Sequence, residues 1–205
     1  MKLYGHPLSS CTRKVLITAA EKATTIEVTP VDLFAGEHKQ PAHLARHPLG
    51  VIPVLDDDGF VLFESRAIVR YLDAKLAGTP LVPASLRERA RMDQWLSIDQ
   101  SFVAPNHKQL VFHRIVRKHQ GLPVDTAAAA EVERALGDAL GAIDRALAAG
   151  RYLAGDTFSL ADVSLMPYVA SLAMIEAQHL LGDLRHLARW WVEVSARESW
   201  RAAAA

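Results

Sequence analysis

The sequence predicts an α/β domain followed by an all-helical domain. Residues 1–76 mix short β-type runs with helical patterns, whereas residues 87–205 carry helical periodicity almost throughout. Between them, residues 77–86 hold two prolines and one glycine but no charge, which is typical of an ordered linker. The 205 residues are enough for each domain to bury a core of its own.

The first domain begins with a β-α-β pattern. Its predicted elements, in order, are a strand at 2–4, a helix at 10–22, and strands at 25–31, 52–55 and 61–63. The last two strands flank Asp58-Gly59, a pair that supplies the positive φ angles of a hairpin turn. Ser65 can then cap a third helix. The order β-α-β followed by β-β-α is that of a thioredoxin-like domain.

The second domain reads as a series of helices. The first is a long helix over 87–119 in which Pro105 predicts a kink, and the next covers 125–150 with an apolar stripe at spacings of three and four. Ser159 and Asp162 form a predicted capping box at the start of a third helix. A final helix is marked by four bulky apolar residues at positions 187–194.

Charge and cysteine content limit the classes of function. The 23 basic residues balance the 23 acidic ones, so no long-range field favours nucleic acid or an anionic membrane. Apolar stretches are too short to span a bilayer, and the N-terminus lacks the apolar run of an export signal. The single cysteine suits a reducing compartment. We expect a cytoplasmic protein whose partner is a small molecule or another protein.

Three adjacent side chains could carry a nucleophile: Ser9, Ser10 and Cys11. Ser9 is expected in the loop that leaves the first strand, where its hydroxyl can point away from the helix, and Ser10 at or near the helix cap. Cys11 stands four and eight residues before Val15 and Ala19, so it should point toward the core.

Three short stretches of the first domain could hold a small polar ligand. His38 and Lys39 are donors on a predicted loop that can hold a carboxylate, although alone they are more often a solvated turn. Pro53 stands between two β-type runs, where a cis Ile52–Pro53 bond would turn the Ile52 backbone groups outward. Glu64 and Ser65 combine a carboxylate with a helix N-terminus, a pair suited to the two charges of an α-amino acid.

Two cofactor classes have little support. His43 and His47 have the spacing of paired metal ligands, but no other cysteine or histidine cluster supplies a third ligand. No glycine-rich phosphate-binding motif is present, so no nucleotide is expected.

Five segments together resemble the cytosolic glutathione S-transferases, and most closely their phi class. They are GHPLSSCTRKVL, VDLFAGEHKQP, LGVIPVL, LFESRAIVRYL and YLAGDTFSLADVSLMPYV. The resemblance implies glutathione as co-substrate, a small hydrophobic electrophile as second substrate, a role in detoxification, and a homodimer. It also implies a glutathione site on the first domain and an electrophile pocket between the domains.

The resemblance assigns roles to individual residues. Ser9 matches the catalytic serine, which would hold the glutathione thiol as thiolate. The matching glutathione-binding residues are His38 and Lys39 for the glycine end, Val51, Ile52 and Pro53 around the cysteinyl part, and Glu64 and Ser65 for the γ-glutamyl end. Side chains matching the electrophile pocket are Leu8, Phe34, Phe112 and Ile115.

This sequence departs from the family pattern at two positions. Val51 stands where relatives usually have glutamine, which removes a polar group and about 1 kcal/mol of binding. His47 stands where relatives have asparagine.

The leading hypothesis is conjugation of glutathione to electrophiles, with reduction of hydroperoxides as an additional reaction. One alternative makes Cys11 the nucleophile of a thiol transferase or dehydroascorbate-type reductase. Another is a non-catalytic protein of the same fold that binds ligands or partners.

Overall fold

The computed structural model describes residues 1–204. The chain divides into two compact units, one made of Met1–Val82 together with the segment from Ser195 onward, and one made of Pro83–Val194. The first division falls inside the stretch predicted as a linker. The C-terminal segment groups with the first unit, whereas the sequence assigns it to the helical domain.

The first unit is built on a four-stranded mixed sheet, counted over residues 1–204, with strand order β2-β1-β3-β4. The strands are β1 Lys2–Gly5, β2 Glu27–Pro30, β3 Val54–Asp57 and β4 Phe60–Phe63. β1 pairs in parallel with β2 and antiparallel with β3, and β3 and β4 form a hairpin. The unit therefore has the predicted thioredoxin-like order.

The hairpin turn confirms the prediction made from Asp58-Gly59. Both residues have positive φ, 53° at Asp58 and 95° at Gly59. A two-residue loop with this geometry matches the twist of the flanking strands. The register that follows places Val54 opposite Phe63, next to the start of the third helix.

The helices of the first unit are α1 Ser10–Glu21, a 3-10 turn Glu37–Lys39, α2 Pro41–Leu44 and α3 Ser65–Lys75. At the end of α3 the buried carboxylate of Asp73 pairs with Lys22 at 2.6 Å. The same carboxylate accepts from the amides of Leu81 and Val82, at 2.8 and 3.1 Å. These bonds attach the end of the unit's main segment to its core.

A further helix near the C-terminus was not separated in the sequence prediction. α9 spans Arg185–Ser195, and after a short break α10 spans Glu198–Ala204. α10 packs along α1. Just before α10, the guanidinium of Arg197 makes a bidentate ion pair with the carboxylate of Glu21, with both N–O distances 2.7 Å. The sequence predicts a single final helix because the short run ESWRAAA carries no apolar stripe.

The second unit is helical. Its helices are α4 Leu86–Ile98, α5 Ala104–Val111, α6 Arg117–His119, α7 Thr126–Leu147, α8 Leu160–Ser171 and α9. π-Helical turns at Asp99–Val103 and Phe112–Val116 join α4 to α5 and α5 to α6. The predicted long helix is thus continuous, and the first π turn ends at Val103, two residues before Pro105, which lacks the N–H needed to continue the ladder.

The predicted capping box at α8 is confirmed. Ser159 caps the helix and the Asp162 carboxylate accepts in return from the Ser159 amide at 3.0 Å. Asp162 also accepts from the amide of Leu153 at 3.1 Å and from the indole of Trp190 at 2.9 Å. A fully buried carboxylate therefore ties three segments of the helical unit together.

Candidate active site

Ser9 is the N-cap of α1. Its backbone is extended, with φ −71° and ψ 124°, and its Oγ accepts a hydrogen bond from the amide of Thr12 at 3.3 Å. The side chain is half-buried, and in the described part of the chain its hydroxyl donates to no protein group. The capping role expected for Ser10 thus belongs to Ser9, and Ser10 is the first helical residue.

Thr12 supports this cap from both sides, and the sequence analysis missed it. Its fully buried side chain accepts from the amide of His6 at 3.3 Å while its own amide donates to Ser9. A methyl group on Gly5 would lie 2.6 Å from the Thr12 hydroxyl oxygen, so only glycine fits there. The cap bond uses only the Thr12 backbone amide, so the residue type at position 12 gave no sequence signal for it.

Cys11 differs from its prediction. Val15 and Ala19 are buried as expected, but Cys11 is only half-buried. The first turn of α1 lies at the edge of the packed region, so helical periodicity alone overestimates burial there. Thr12, one residue later, is the buried side chain of this turn.

His38 and Lys39 lie on the 3-10 turn that follows β2. The Nδ1 of His38 is buried and has no hydrogen-bond partner among the described residues. Burial and the nearby positive charge of Lys39 lower the pKa of His38. The Lys39 ammonium donates to the carbonyl of Leu49 at 2.9 Å, so it is anchored to the loop before β3.

Val51, Ile52 and Pro53 form the end of that loop. The Ile52–Pro53 bond is cis, as the sequence predicts, and Pro53 is buried while Val51 and Ile52 are half-buried. In the described part of the chain the Ile52 amide has no acceptor. The carbonyl of Val51 is bound by His43 Nε2 at 2.8 Å.

Glu64 and Ser65 stand at the start of α3. Glu64, and not Ser65, is the N-cap, and it has the left-handed φ of 71°. Its carbonyl accepts the first helical bonds from Ala67 and Ile68, at 2.9 and 3.0 Å. The Glu64 side chain is exposed, while Ser65 is buried with its amide facing the open end of the helix. A carboxylate and a helix N-terminus therefore lie side by side.

The two histidines with metal-like spacing are both buried and have other partners. His43 contacts Val51, and His47 Nδ1 accepts from the Leu49 amide at 3.3 Å. The His47 ring also packs on Phe63 with 4.5 Å between ring centres. Within residues 1–204, no group of three or more metal-binding side chains is found.

The four apolar candidates are divided between the two units. In the first unit Leu8 and Phe34 are each 57 % exposed. In the second unit Phe112 is 44 % exposed and Ile115 is half-buried, both on the second π-helical turn. Their role in an electrophile pocket stays a prediction. Over the described residues, none of the helices has the length and apolar character to cross a membrane.

The fold and these residues define a class of two-part proteins with a thioredoxin-like unit and a helical unit. Comparison with known families agrees. The family described as "Glutathione S-transferase, N-terminal domain" matches residues 1–74, and "Glutathione S-transferase, C-terminal domain" matches residues 103–198.

Individual relatives cover nearly the whole chain. Glutathione S-transferase F9 of Arabidopsis thaliana is 34 % identical over 98 % of this chain and 94 % of its own length. Glutathione transferase F7 of Populus trichocarpa superposes with a TM-score of 0.92 at 37 % identity, covering 99 % of this chain and 97 % of that one. Glutathione S-transferase I from mais, solved with an atrazine–glutathione conjugate, gives 0.88 at 29 % identity, covering 99 % and 95 %. The chain belongs to the glutathione S-transferase family, in its phi class.

Proposed function

We propose that this protein conjugates glutathione to small hydrophobic electrophiles, with Ser9 holding the glutathione thiol as a thiolate. The observation that carries the proposal is the geometry of Ser9. Its Oγ accepts from the Thr12 amide, so its single proton remains available for an acceptor outside the helix. A thiolate placed there would also face the positive end of the α1 dipole.

The energy required is within reach of this arrangement. A free thiol has a pKa near 8.5, so only a few per cent of it is thiolate at neutral pH. Lowering that pKa by about two units requires roughly 2.7 kcal/mol. One hydrogen bond to a charged acceptor supplies about 1.5 to 3 kcal/mol. Ser9 acts here as a hydrogen-bond donor, and the sulfur of glutathione is the nucleophile.

The remaining glutathione contacts are proposed from the charges and the free hydrogen-bonding groups of the residues. Glu64 is exposed beside the N-terminus of α3, a pairing that suits the ammonium and carboxylate of a γ-glutamyl group. Lys39, with the buried and unpartnered His38 Nδ1 beside it, suits the glycine carboxylate. The unpartnered amide of Ile52 suits the cysteinyl part. The mais relative, whose structure contains a glutathione conjugate, supports the same ligand class.

The test is a panel of electrophiles measured with and without glutathione. We expect glutathione-dependent loss of an aryl halide such as 1-chloro-2,4-dinitrobenzene or of an isothiocyanate, with cumene hydroperoxide measuring reductase activity. Binding of glutathione by calorimetry, without turnover of any electrophile, would favour the non-catalytic alternative. Activity that vanishes in Cys11→Ser but survives in Ser9→Ala would favour the thiol transferase.

Two further proposals come from the family. A homodimer is supported by exposed apolar side chains on the first unit, Phe60, Val61 and Leu49, of which Leu49 is 69 % exposed. Light scattering should give twice the chain mass.

A cytoplasmic location is proposed from family membership and is tested by fractionation of the source cells.

A further inference from the structure

Residues of the segment 37–44 contact three successive residues of the loop before Pro53. Lys39 Nζ donates to the Leu49 carbonyl at 2.9 Å. Gly50 has φ +56°, and a methyl group on it would lie 2.5 Å from the His38 carbonyl oxygen. His43 Nε2 lies 2.8 Å from the Val51 carbonyl oxygen. The third contact is made by His43, a side chain to which the proposed glutathione site gives no role.

His43 is held in place for this contact. Its side chain is only 4 % exposed, and its amide donates to the Gln40 carbonyl at 3.0 Å within the short helix α2. Because a carbonyl oxygen can only accept, the ring must carry a proton on Nε2 and donate it to Val51. The contact therefore fixes both the ring's tautomer and the direction of the Val51 carbonyl.

The direction of the Val51 carbonyl determines that of the Ile52 amide. The Val51 C=O and the Ile52 N–H belong to one planar peptide group, and in a trans peptide they point in opposite directions. The His43 bond therefore turns the Ile52 N–H away from α2. That N–H has no acceptor in the described part of the chain.

We propose that His43 is a positioning residue of the glutathione site: its Nε2–H, bound to the Val51 carbonyl, aims the Ile52 amide at the cysteinyl part of glutathione. The inference rests on the proposed function, in which that amide binds the cysteinyl part. It adds a residue that touches no part of the substrate. The valine side chain at position 51 cannot form a hydrogen bond. The His43 bond to the Val51 carbonyl therefore provides a polar contact for the loop at this position.

The test separates His43 from the residues proposed for the glycine end. The ligands are glutathione and γ-glutamylcysteine, which lacks the glycine, each titrated by calorimetry into the full-length wild type, His43→Phe, His43→Gln and Lys39→Ala. His43→Phe keeps an aromatic ring but cannot donate, whereas the glutamine amide can. We expect His43→Phe to weaken both ligands about five- to tenfold, the effect of one lost hydrogen bond. His43→Gln should recover most of that loss.

Lys39→Ala should weaken glutathione more than γ-glutamylcysteine, because it removes the proposed partner of the glycine carboxylate in addition to the bond to the Leu49 carbonyl. In steady state, His43→Phe should raise KM for glutathione by the same factor and leave kcat at saturating glutathione within about twofold, because Ser9 is untouched. Asp73→Ala is the matched stability control. It removes a buried carboxylate at the far end of α3, and should lower the melting temperature without changing either affinity.

Several results would overturn the inference. They are equal binding of both ligands by folded His43→Phe, a loss confined to glutathione, or a loss matched by Asp73→Ala. Nitrogen-15 NMR of the unmodified protein provides a readout that needs no variant to fold: the His43 ring should carry its proton on Nε2, and an unprotonated Nε2 would refute the bond. If the wild type binds neither ligand, the proposed function fails. The NMR result and the Ile52 amide shift in His43→Gln then still decide the Val51 contact.

Discussion

The amide of Thr12 donates a hydrogen bond to the Oγ of Ser9 across 3.3 Å. One side chain therefore caps α1 and is also the proposed thiolate donor. The two roles are compatible, because a hydroxyl can accept with its lone pairs while donating its proton elsewhere. Because one hydroxyl has both roles, removing it should change both the stability of the fold and the conjugation rate. The two effects must therefore be measured separately.

Ser9→Ala should cut glutathione conjugation at neutral pH by roughly ten- to a hundredfold, the rate equivalent of about 1.5 to 3 kcal/mol of thiolate stabilisation. The pKa of bound glutathione should rise, so the loss should shrink at high pH. The measurement is conjugation rate against pH at saturating glutathione. The lost cap should also lower the unfolding free energy by about 1 kcal/mol.

Asp125→Ala is a matched control for that stability loss. Asp125 caps α7 in the helical unit by accepting from the Ala128 amide at 3.0 Å. It should lose a comparable amount of stability and keep its conjugation rate and pH profile. Ser9→Thr keeps the hydroxyl and should preserve both properties in part. An unaltered pH profile in Ser9→Ala would remove Ser9 from the chemistry.

Cys11→Ser should retain most of the conjugation activity. The Cys11 side chain is half-buried on the first helical turn, and the proposed mechanism gives it no step. Partial exposure leaves Cys11 open to alkylation by iodoacetamide. If the bulk of the label blocks the site, the labelled wild type loses activity, whereas Cys11→Ser, which cannot be labelled there, keeps its activity after the same treatment. A dead Cys11→Ser enzyme would instead make this a thiol-disulfide catalyst.

Glu64→Ala should weaken glutathione binding more than tenfold. The substrate ammonium would lose its charged partner at a cost of about 2 kcal/mol or more once the site is desolvated. Both residues carry a Cβ, so the positive φ of 71° at this position is equally strained before and after the change. The difference in glutathione affinity between the wild type and Glu64→Ala, measured by calorimetry, therefore reports the contribution of the carboxylate alone.

Glu131→Ala is the control for Glu64→Ala. Glu131 is an exposed carboxylate on α7, and its loss changes the net charge by the same amount. Its affinity for glutathione should match the wild type. Equal binding by Glu64→Ala and the wild type would contradict the assignment of the γ-glutamyl end.

Features set by neighbouring residues were predictable from the sequence. Asp58-Gly59 predicts a turn because few other pairs tolerate two positive φ angles, and Ser159 with Asp162 predicts a cap because both partners lie within one turn. In each case the interaction that determines the geometry spans only a few residues.

Features set by distant packing were not predictable. α10 packs on α1 across most of the chain length, and its sequence ESWRAAA carries no sign of that partner. The sequence shows His43 only at a metal-like spacing from His47 and assigns it no role, since nothing in its neighbourhood shows that Val51 folds back onto it. The half-burial of Cys11 likewise depends on where the packed region ends.

Unfolding stability should fall as the pH drops below about 7. Burial lowers the pKa of His47 despite the opposing charge of Glu64, and it lowers the pKa of His38. A histidine with a lowered folded pKa binds fewer protons folded than unfolded, so its stability contribution is complete above the unfolded pKa of about 6.5 and declines below it.

In urea unfolding between about pH 5.5 and 7.5, carboxylates with lowered pKa values such as Glu21 and Glu193 do not contribute, because they protonate only at lower pH. Burial raises the pKa of Asp162, whose contribution has the opposite sign, so the histidine effect is measured as the difference between the wild type and a His47 variant. His47→Asn should flatten the pH dependence over that range. Its absolute stability can differ, since the ring also packs on Phe63. A slope identical to the wild type would show that His47 does not titrate differently on unfolding.

Asp162→Ala should destabilise the protein and leave the chemistry intact. The buried carboxylate accepts from the Leu153 amide, the Ser159 amide and hydroxyl, and the Trp190 indole. Burial raises the pKa of Asp162, and these donors oppose the shift. Alanine would leave all of them buried without an acceptor, which should cost about 2 to 3 kcal/mol and lower the melting temperature by about 5 to 10 °C.

Asp162→Asn is the informative companion variant, because its amide oxygen can still accept two of these bonds while its NH₂ group faces donors it cannot pair with. It should therefore fall between the wild type and Asp162→Ala in melting temperature. The kcat of each variant, measured on its folded fraction well below its melting temperature, should equal that of the wild type. If the melting temperature held while kcat collapsed, Asp162 would belong to the reaction and the capping box would not be its main role.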